Sequence, residues 1–350
     1  MPIVFEHVSY DYNYVSPKEK KRGSKQTDGD TNTSAQALRT PQALNDICIE
    51  IPDGQFVGII GHTGSGKSTL IQHINGLLQP TEGRVIVEGL DLAERANRRL
   101  VRKHVGIAFQ YPEYQLFATT VEEDVSFGPR NLGLDSAEVD RRVRNALERV
   151  GLEYDLVAAK SPFHLSGGQQ RRVALAGILA MEPKTLVLDE PMAGLDPKGR
   201  ADTLALVHRL HAEGLTVVMV SHSMEDVAEN AERVLVLEHG TIAMDGKPDE
   251  VFSHAEELRE MGLGIPQATK FQNLLAKKGF EFKEPVHTLD DLANAIALKL
   301  GKRTKEEYLA KAAQVSAEQN ETAQADPEAQ KNFKNYSAFD ALTLEAGEVS

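Results

Sequence analysis

"QFVGIIGHTGSGKST", Gln55–Thr69, is the stretch that decides the fold. An apolar run, Phe56–Ile60, ends in a glycine-rich turn, and the turn opens into a helix-like segment beginning at Lys67. The turn fits G-x-x-x-x-G-K-[ST] through Gly61, Gly66, Lys67 and Ser68. Glycines let the backbone curl so that successive N–H groups face one anion, and the helix start adds its dipole. Lys67 brings positive charge to the β- and γ-phosphates of a nucleotide, and the Ser68 hydroxyl suits Mg²⁺, a hard cation that prefers oxygen. His62, Thr63, Gly64, Ser65 and Thr69 complete the cradle.

Working outward, strand-like runs recur as "DICIEI" (Asp46–Ile51), "RVIVEG" (Arg84–Gly89), "HVGIAFQ" (His104–Gln110), "TLVLD" (Thr185–Asp189), "LTVVMVS" (Leu215–Ser221) and "RVLVLEHG" (Arg233–Gly240). Helix-like segments lie between several of them: Lys67–Leu77, Ala137–Val150, Gln169–Met181, Gly199–Glu213 and Ser223–Asn230. This alternation predicts an α/β fold of the P-loop NTPase kind with a largely parallel, buried sheet. Residues 111–181 break the alternation and read as an inserted helical subdomain. The nucleotide domain is expected over 1–262. A small C-terminal helical extension follows at 263–303, with Thr288 as a helix N-cap and Phe271, Leu274 and Leu275, then Leu289, Leu292, Ile296 and Leu300, on apolar faces. The polar segment 17–34 reads as a flexible inserted loop, and the acidic tail 304–350 as disordered.

Composition narrows the function. Of 350 residues 41% are hydrophobic, and the net charge of −13 argues against a general attraction to nucleic acid. The single cysteine, Cys48, sits in an apolar run and is expected in the core of a protein from a reducing compartment. The start, "MPIVFEHVSY", has no signal-peptide pattern. Apolar runs such as Val173–Met181 fall short of the ~20 residues of a membrane span, so a membrane role must act through partners.

A second acidic site follows at "TLVLDEP", Thr185–Pro191. Side chains alternate along a strand, so Asp189 and Glu190 need not point the same way. Asp189 suits Mg²⁺, directly or through Ser68, and Glu190 suits a general base on the attacking water. The long separation from Lys67 and the absence of N-K-x-D favour adenine over guanine nucleotide. "LSGGQ", Leu165–Gln169, then offers Ser166, Gly167 and Gly168 at another helix start, a second anion site by the same physics. One ATP has no evident need of two such sites in one chain. A head-to-tail pair has: each nucleotide lies between one chain's Lys67 loop and the other chain's Ser166 loop.

With these motifs in order the chain resembles the ATP-binding-cassette (ABC) ATPases from about Ile3 to Phe252. The resemblance implies that Gln110 reaches Mg²⁺ and the water, that Ser166–Gln169 and Asp196 of "AGLDP" lie at the dimer seam, and that His222, ending "VSH", contacts the γ-phosphate. It also implies an aromatic residue stacked on adenine, with Tyr12 chosen and Tyr10 and Tyr14 as rivals. "FQYPEYQLFATTVEEDVSFGP" (Phe109–Pro129) and "SPFHLSGGQQRRVALAGILAMEPKTLVLDEPMAGLDPKGR" (Ser161–Arg200) resemble the energy-coupling-factor (ECF) transporter ATPases, in the manner of their second ATP-binding subunit. Such proteins use ATP and Mg²⁺ to energise uptake of vitamins or transition-metal ions. The resemblance implies a second ATPase subunit (as heterodimer or homodimer), a transmembrane coupling protein and a substrate-binding membrane protein. It places the chain peripherally on the cytoplasmic face of the cell membrane, with no nucleic-acid partner. The alternatives are the ATPase of another ABC importer class or a soluble, non-transport ABC ATPase. Against the latter, no coiled coil of the repair type fits between Lys67 and Ser166, and only one cassette is present. Met192 departs from the family's usual Thr, and neither the 17–34 loop nor the tail is a family hallmark. The acids Glu122, Glu123 and Asp124 are expected to complement a helix N-terminus, or to pair with a basic residue of a membrane partner.

Overall fold

A computed structural model describes residues 2–13, 42–280, 282 and 285–300. The expected loop at 17–34, the tail at 304–350 and Tyr14 lie outside the described residues. The chain divides into two compact units, Met1–Ile265 and Pro266–Ser350.

The first unit holds two sheets. Strands β1 (Ile3–Tyr10), β2 (Leu44–Ile51), β4 (Glu82–Val87) and β5 (Leu90–Asp91) form an antiparallel sheet in the order β2-β1-β4-β5. Strands β3 (Phe56–Ile60), β6 (Val105–Ala108), β7 (Thr185–Asp189), β8 (Thr216–Val220), β9 (Arg233–Glu238) and β10 (Thr241–Gly246) form the second, in the order β10-β9-β3-β8-β7-β6. It is parallel except for the β9–β10 pair. The expectation of a largely parallel buried sheet therefore holds for this sheet. The antiparallel one is a separate layer, because short apolar runs look alike whether their partners run parallel or not.

Period-two alternation explains why the parallel strands read as continuous apolar runs. Phe56 and Ile60, Leu186 and Leu188, Val217 and Met219, and Val234 and Val236 join one core. Val57 and Ile59, Val187, Val218 and Val220, and Leu235 and Leu237 join the other, with Ile3, Phe5 and Val8 of the antiparallel sheet. Helix α1 (Lys67–Ile74) lies in this second core through Leu70, Ile71 and Ile74. Gly58 belongs to the first face. A Cβ there would stand 2.5 Å from Val227 Cγ1 in the helix Met224–Asn230.

After α2 (Arg95–His104) and β6, no strand occurs until β7. The interval holds α3 (Val121–Asn131), α4 (Ser136–Arg149), α5 (Tyr154–Val157) and α6 (Gly167–Leu179), which is the helical insertion. Val125, Val143, Leu147, Val173 and Ala176 tie these helices into the first core. Helices α7 (Pro197–Ala212), α8 (Met224–Asn230), α9 (Pro248–Ser253) and α10 (Ala255–Glu260) complete the unit.

In the second unit α11 (Gln267–Ala276) and α12 (Leu289–Lys299) enclose a small core of Ala268, Val286 and Leu292. The Thr288 side chain accepts from Asp291 N at 2.9 Å, as the capping pattern predicts. Leu275, Leu292 and Ile296 face this core, whereas Phe271, Leu274, Leu289 and Leu300 are exposed, so the apolar faces are narrower than their sequence suggests.

Cys48 is a correction. Ile47, Ile49 and Ile51 of β2 point inward, so Cys48 between them is exposed rather than in the core. No helix among the described residues is long and apolar enough to cross a membrane. The tight β3–α8 contact gives a test: Gly58→Ala should cost about 1–3 kcal/mol through overpacking. Thermal unfolding reads it as a lowered Tm, and an unchanged Tm would show that α8 moves aside freely.

Candidate nucleotide site

Parallel pairing brings the expected residues to one edge of the six-stranded sheet. Ile59 stands opposite Val220, and Leu188 opposite both Met219 and Ala108. The chain therefore leaves β3 into Gly61, β7 into Glu190, β8 into Ser221–His222 and β6 into Phe109–Gln110 at the same end. Ligands of open parallel sheets bind at this end, outside the strands' carboxyl termini.

The Gly61–Thr69 turn is held tightly. A Cβ on Gly61 would lie 2.4 Å from the Leu237 carbonyl oxygen. Gly66 has φ +107° and caps α1 without any side-chain hydrogen bond. The helices that start at Val121, Ser136, Gly167 and Pro197 all have a side-chain cap. The first-turn N–H groups of α1 are thus left for another acceptor, and no acid occupies that turn. Lys67 is buried and donates from Nζ to the Gly61 and His62 carbonyls at 2.7 and 2.9 Å. Burial lowers its pKa, while Glu190 and Asp189 oppose the shift. Ser65 Oγ and His62 Nε2 are buried and have no hydrogen-bond partner among the described residues. A phosphate chain fits this donor set.

Ser68 Oγ donates to Asp189 Oδ2 at 3.4 Å. The two oxygens, on an exposed and a half-buried side chain, form a hard donor pair that suits Mg²⁺. Glu190 follows with φ +51°, and its N–H donates to the Val220 carbonyl at 3.0 Å. That turn aims its carboxyl away from Ser68 and toward His222. His222 N–H donates to Glu190 Oε2 at 3.3 Å, and His222 Nε2 lies 3.4 Å from Glu190 Oε1. Burial raises the pKa of Asp189 and of Glu190 above the ordinary carboxylate range, outweighing the opposing pull of Ser68, Lys67 and His222 at Asp189 and of His222 and Lys67 at Glu190. Gln110 is exposed two residues beyond the Ala108–Leu188 pair, at the same edge. Tyr12 is exposed, with its hydroxyl 3.0 Å from Thr69 Oγ1 and its ring edge-on to Tyr10 at 4.9 Å. Tyr10 packs instead against the buried His73, at 5.0 Å.

The Leu165–Gln169 motif lies elsewhere. Ser166 is the N-cap of α6, which starts at Gly167, two residues earlier than its apolar pattern suggests. Ser166 and Gln169 form a capping box. A Cβ on Gly167 or Gly168 would meet nothing within 4 Å among the described residues. Among the described residues no hydrogen bond joins Ser166–Gln169 to Gly61–Thr69. Asp196 is exposed and caps α7 by accepting from Gly199 N at 2.8 Å.

Two groups that sequence reasoning missed hold this edge in place. Arg171 of α6, buried, donates to the Ala193 carbonyl at 2.9 Å and to that of Pro191. It fixes the turn after Glu190 to the helical insertion. Arg200 of α7 donates to buried Asp226 and to Ser223, fixing the segment after His222. Neither has a local sequence signature, since each partner lies about twenty residues away.

Residues 44–193 match the model of the ABC transporter family. The chain is 55% identical over 256 residues to the energy-coupling factor transporter ATP-binding protein EcfA2 of Clostridium perfringens, covering 73% of this chain and 90% of that one. Among solved structures it is similar to cbiO1 of Clostridium perfringens, described as part of the ABC transporter complex cbiONQ. That match has 34% identity and a TM-score of 0.61, and covers 78% of this chain and 98% of that one. It is also similar to the ATP-binding cassette MJ0796, seen as a dimer in a post-hydrolysis state with ADP and phosphate. Here identity is 27% and the TM-score 0.57, with 70% of this chain and 98% of that one covered.

The Arg171 anchor yields a prediction. Arg171→Met leaves two carbonyls without their donor, a loss of about 1–3 kcal/mol. Unfolding should begin at lower temperature, with slower ATP turnover as the Glu190–Asp196 segment loosens. Wild-type turnover and Tm together would contradict the anchoring role.

Proposed function

The chain belongs to the energy-coupling-factor transporter ATP-binding proteins within the ABC transporter ATPases; on that premise we propose how its residues work and what they drive. It is an ATP-binding and hydrolysing subunit of an ECF-type import complex. The observation that carries the residue roles is the meeting of Lys67, Ser68, Asp189, Glu190 and His222 at one sheet edge.

Lys67 exchanges the Gly61 and His62 carbonyls for β- and γ-phosphate oxygens. The Gly61–Thr69 backbone and the uncapped start of α1 take the remaining phosphate charge. The exposed ring of Tyr12, fixed by Thr69, stacks on adenine; Tyr10 is committed to His73. Ser68 and Asp189, with Gln110, hold Mg²⁺. The metal, when bound, offsets charge on the transferring phosphoryl group. Glu190 accepts the proton of the attacking water, and its burial favours that task by raising its proton affinity. His222, against the Glu190 carboxyl, orients it and reaches the γ-phosphate. Ser166, Gly167 and Gly168, exposed, with half-buried Gln169, share no hydrogen bond with the phosphate loop among the described residues and contact nucleotide held by another ATPase subunit, with Asp196 at the same seam. The likeness to a dimeric cassette supports this arrangement.

The partners we propose are a second ATPase, identical or related, a transmembrane coupling protein and a substrate-binding membrane protein. They hold the chain at the cytoplasmic face of the membrane, and the imported solutes are vitamins or transition-metal ions. The face we assign to the coupling protein lies just past Gln110. Tyr114, Phe117 and Phe127 are 83%, 58% and 52% exposed, and Phe117 meets Phe127 edge-on at 4.9 Å. Aromatic residues suit the core of an interface. The neighbouring acids have internal tasks. Asp124 accepts from Phe117 N and Ala118 N, Glu123 bonds Thr119, and Glu122 lies beside Tyr154, whose phenol pKa burial, chiefly, and Glu122 push up. They close the start of α3, which favours dipole complementation over a direct ion pair with a partner.

Glu190→Gln should keep ATP affinity and lower turnover by about 10²–10⁴-fold, leaving ATP-locked dimers on gel filtration. Ordinary turnover by this variant would remove Glu190 as the base. Phe117→Asp should lower ATP turnover of the assembled membrane complex by about tenfold or more while sparing ATP affinity of the purified chain. Full coupled activity would remove this face from the partner contact.

A further inference from the structure

Away from the nucleotide edge, three side chains of different ligand chemistry converge on the antiparallel sheet. His7 Nδ1 lies 2.8 Å from Asp46 Oδ1 and 3.4 Å from Cys48 Sγ. The backbone N–H of His7 also donates to Cys48 Sγ at 3.3 Å. All three ligand atoms lie within 4.8 Å of one another, and all three residues are exposed. The local backbone creates the cluster. The β1–β2 register shifts between Phe5 and Val8 and again between Val8 and Tyr10. At these shifts His7 has φ +50° and Asp46 φ +52°, which takes both out of strict strand alternation and onto the side where Cys48 points.

We propose that His7, Asp46 and Cys48 form an open binding site for a borderline-soft divalent transition-metal ion, of which Zn²⁺ and Co²⁺ are the model cases. One imidazole nitrogen faces both the sulfur and the carboxylate. Nδ1, Oδ1 and Sγ gather round one point; a proton on Nδ1 serves the Asp46 pair in the metal-free protein, and a cation that displaces it, leaving the ring proton on Nε2, takes all three donors. The spacing agrees. With zinc's usual bond lengths and tetrahedral angles, ligand nitrogen and sulfur stand about 3.5 Å apart, and nitrogen and oxygen about 3.4 Å. The observed 3.4 Å between Nδ1 and Sγ already matches. The 2.8 Å between Nδ1 and Oδ1 needs to open by about half an ångström, a small rotation for exposed side chains. The remaining coordination position is left to water. A thiolate donor excludes Mg²⁺ and Ca²⁺, which prefer oxygen.

The cluster is not a nucleophilic Cys-His-Asp triad. There the imidazole stands between its partners and uses both ring nitrogens, whereas here Nδ1 faces both. The site also differs in place and chemistry from the Ser68–Asp189 pair of the nucleotide edge.

Cys48 is the only cysteine of the chain, which makes the test clean. Titrating the full-length protein with Co²⁺ should produce a thiolate-to-cobalt charge-transfer band that saturates at one equivalent and is displaced by Zn²⁺. Cys48→Ser should abolish the band. His7→Ala and Asp46→Asn should each weaken binding by about tenfold or more. Excess Mg²⁺ with ATP should leave the band in place, because no thiol lies at the nucleotide edge. ATP affinity, measured on each variant, verifies the fold. Absence of the band in the wild-type protein, or Zn²⁺ affinity unchanged in Cys48→Ser and His7→Ala, would overturn the assignment.

Discussion

The parallel register of β7, β8 and β3 is the constraint on which the rest depends. Val187 pairs with Val218 and Val57 with Val218, so three segments far apart in the chain end level with one another. The Lys67 loop, the carboxylates and His222 meet only because of that. Burying both faces of the sheet fixes the register, since a one-residue slip on β7 would exchange Leu186 and Leu188 of one core for Val187 of the other. The same slip would turn Asp189 away from Ser68.

Some of this was legible in the sequence because it is local. The phosphate loop joins adjacent residues and carries its glycines where the backbone needs them. The Thr288 cap and the acids at the start of α3 are also local, and they form as the pattern says. Alternation along a strand left Asp189 and Glu190 free to point different ways. The sequence did not reveal that a left-handed turn at Glu190, a poor conformation for a glutamate, completes that divergence. Arg171 and Arg200 were invisible because their partners are backbone carbonyls and a buried acid on other elements. Cys48 was misread for a related reason. "DICIEI" looks apolar as a block, yet here β2 is one-sided, with Asp46, Cys48 and Glu50 facing outward. A strand of the parallel sheet would have buried it.

The two helix starts with anion chemistry differ in how far the chain already satisfies them. The start of α6 carries the Ser166–Gln169 capping box, which meets two donors from within. The start of α1 has no side-chain cap, and Lys67, buried beside it, lends its charge to two backbone carbonyls for want of a stronger acceptor. An anion at α1 therefore gains unmet donors and a desolvated cation, which favours strong binding there. An anion at α6 gains mainly the helix dipole and the open backbone at Gly167 and Gly168, an increment of roughly 0.3–1 kcal/mol for an exposed terminus. In the proposed pair the order of events follows from how far each helix start is already satisfied and from the cation beside α1. Nucleotide commits first to one chain's phosphate loop. In the proposed head-to-tail pair the weaker Ser166 site would add its share only when a second subunit supplies it, which would link ATP binding to subunit closure. In the same arrangement, loss of the γ-phosphate would remove the acceptor proposed to be shared by both helix starts, and it would cost the weaker contact first.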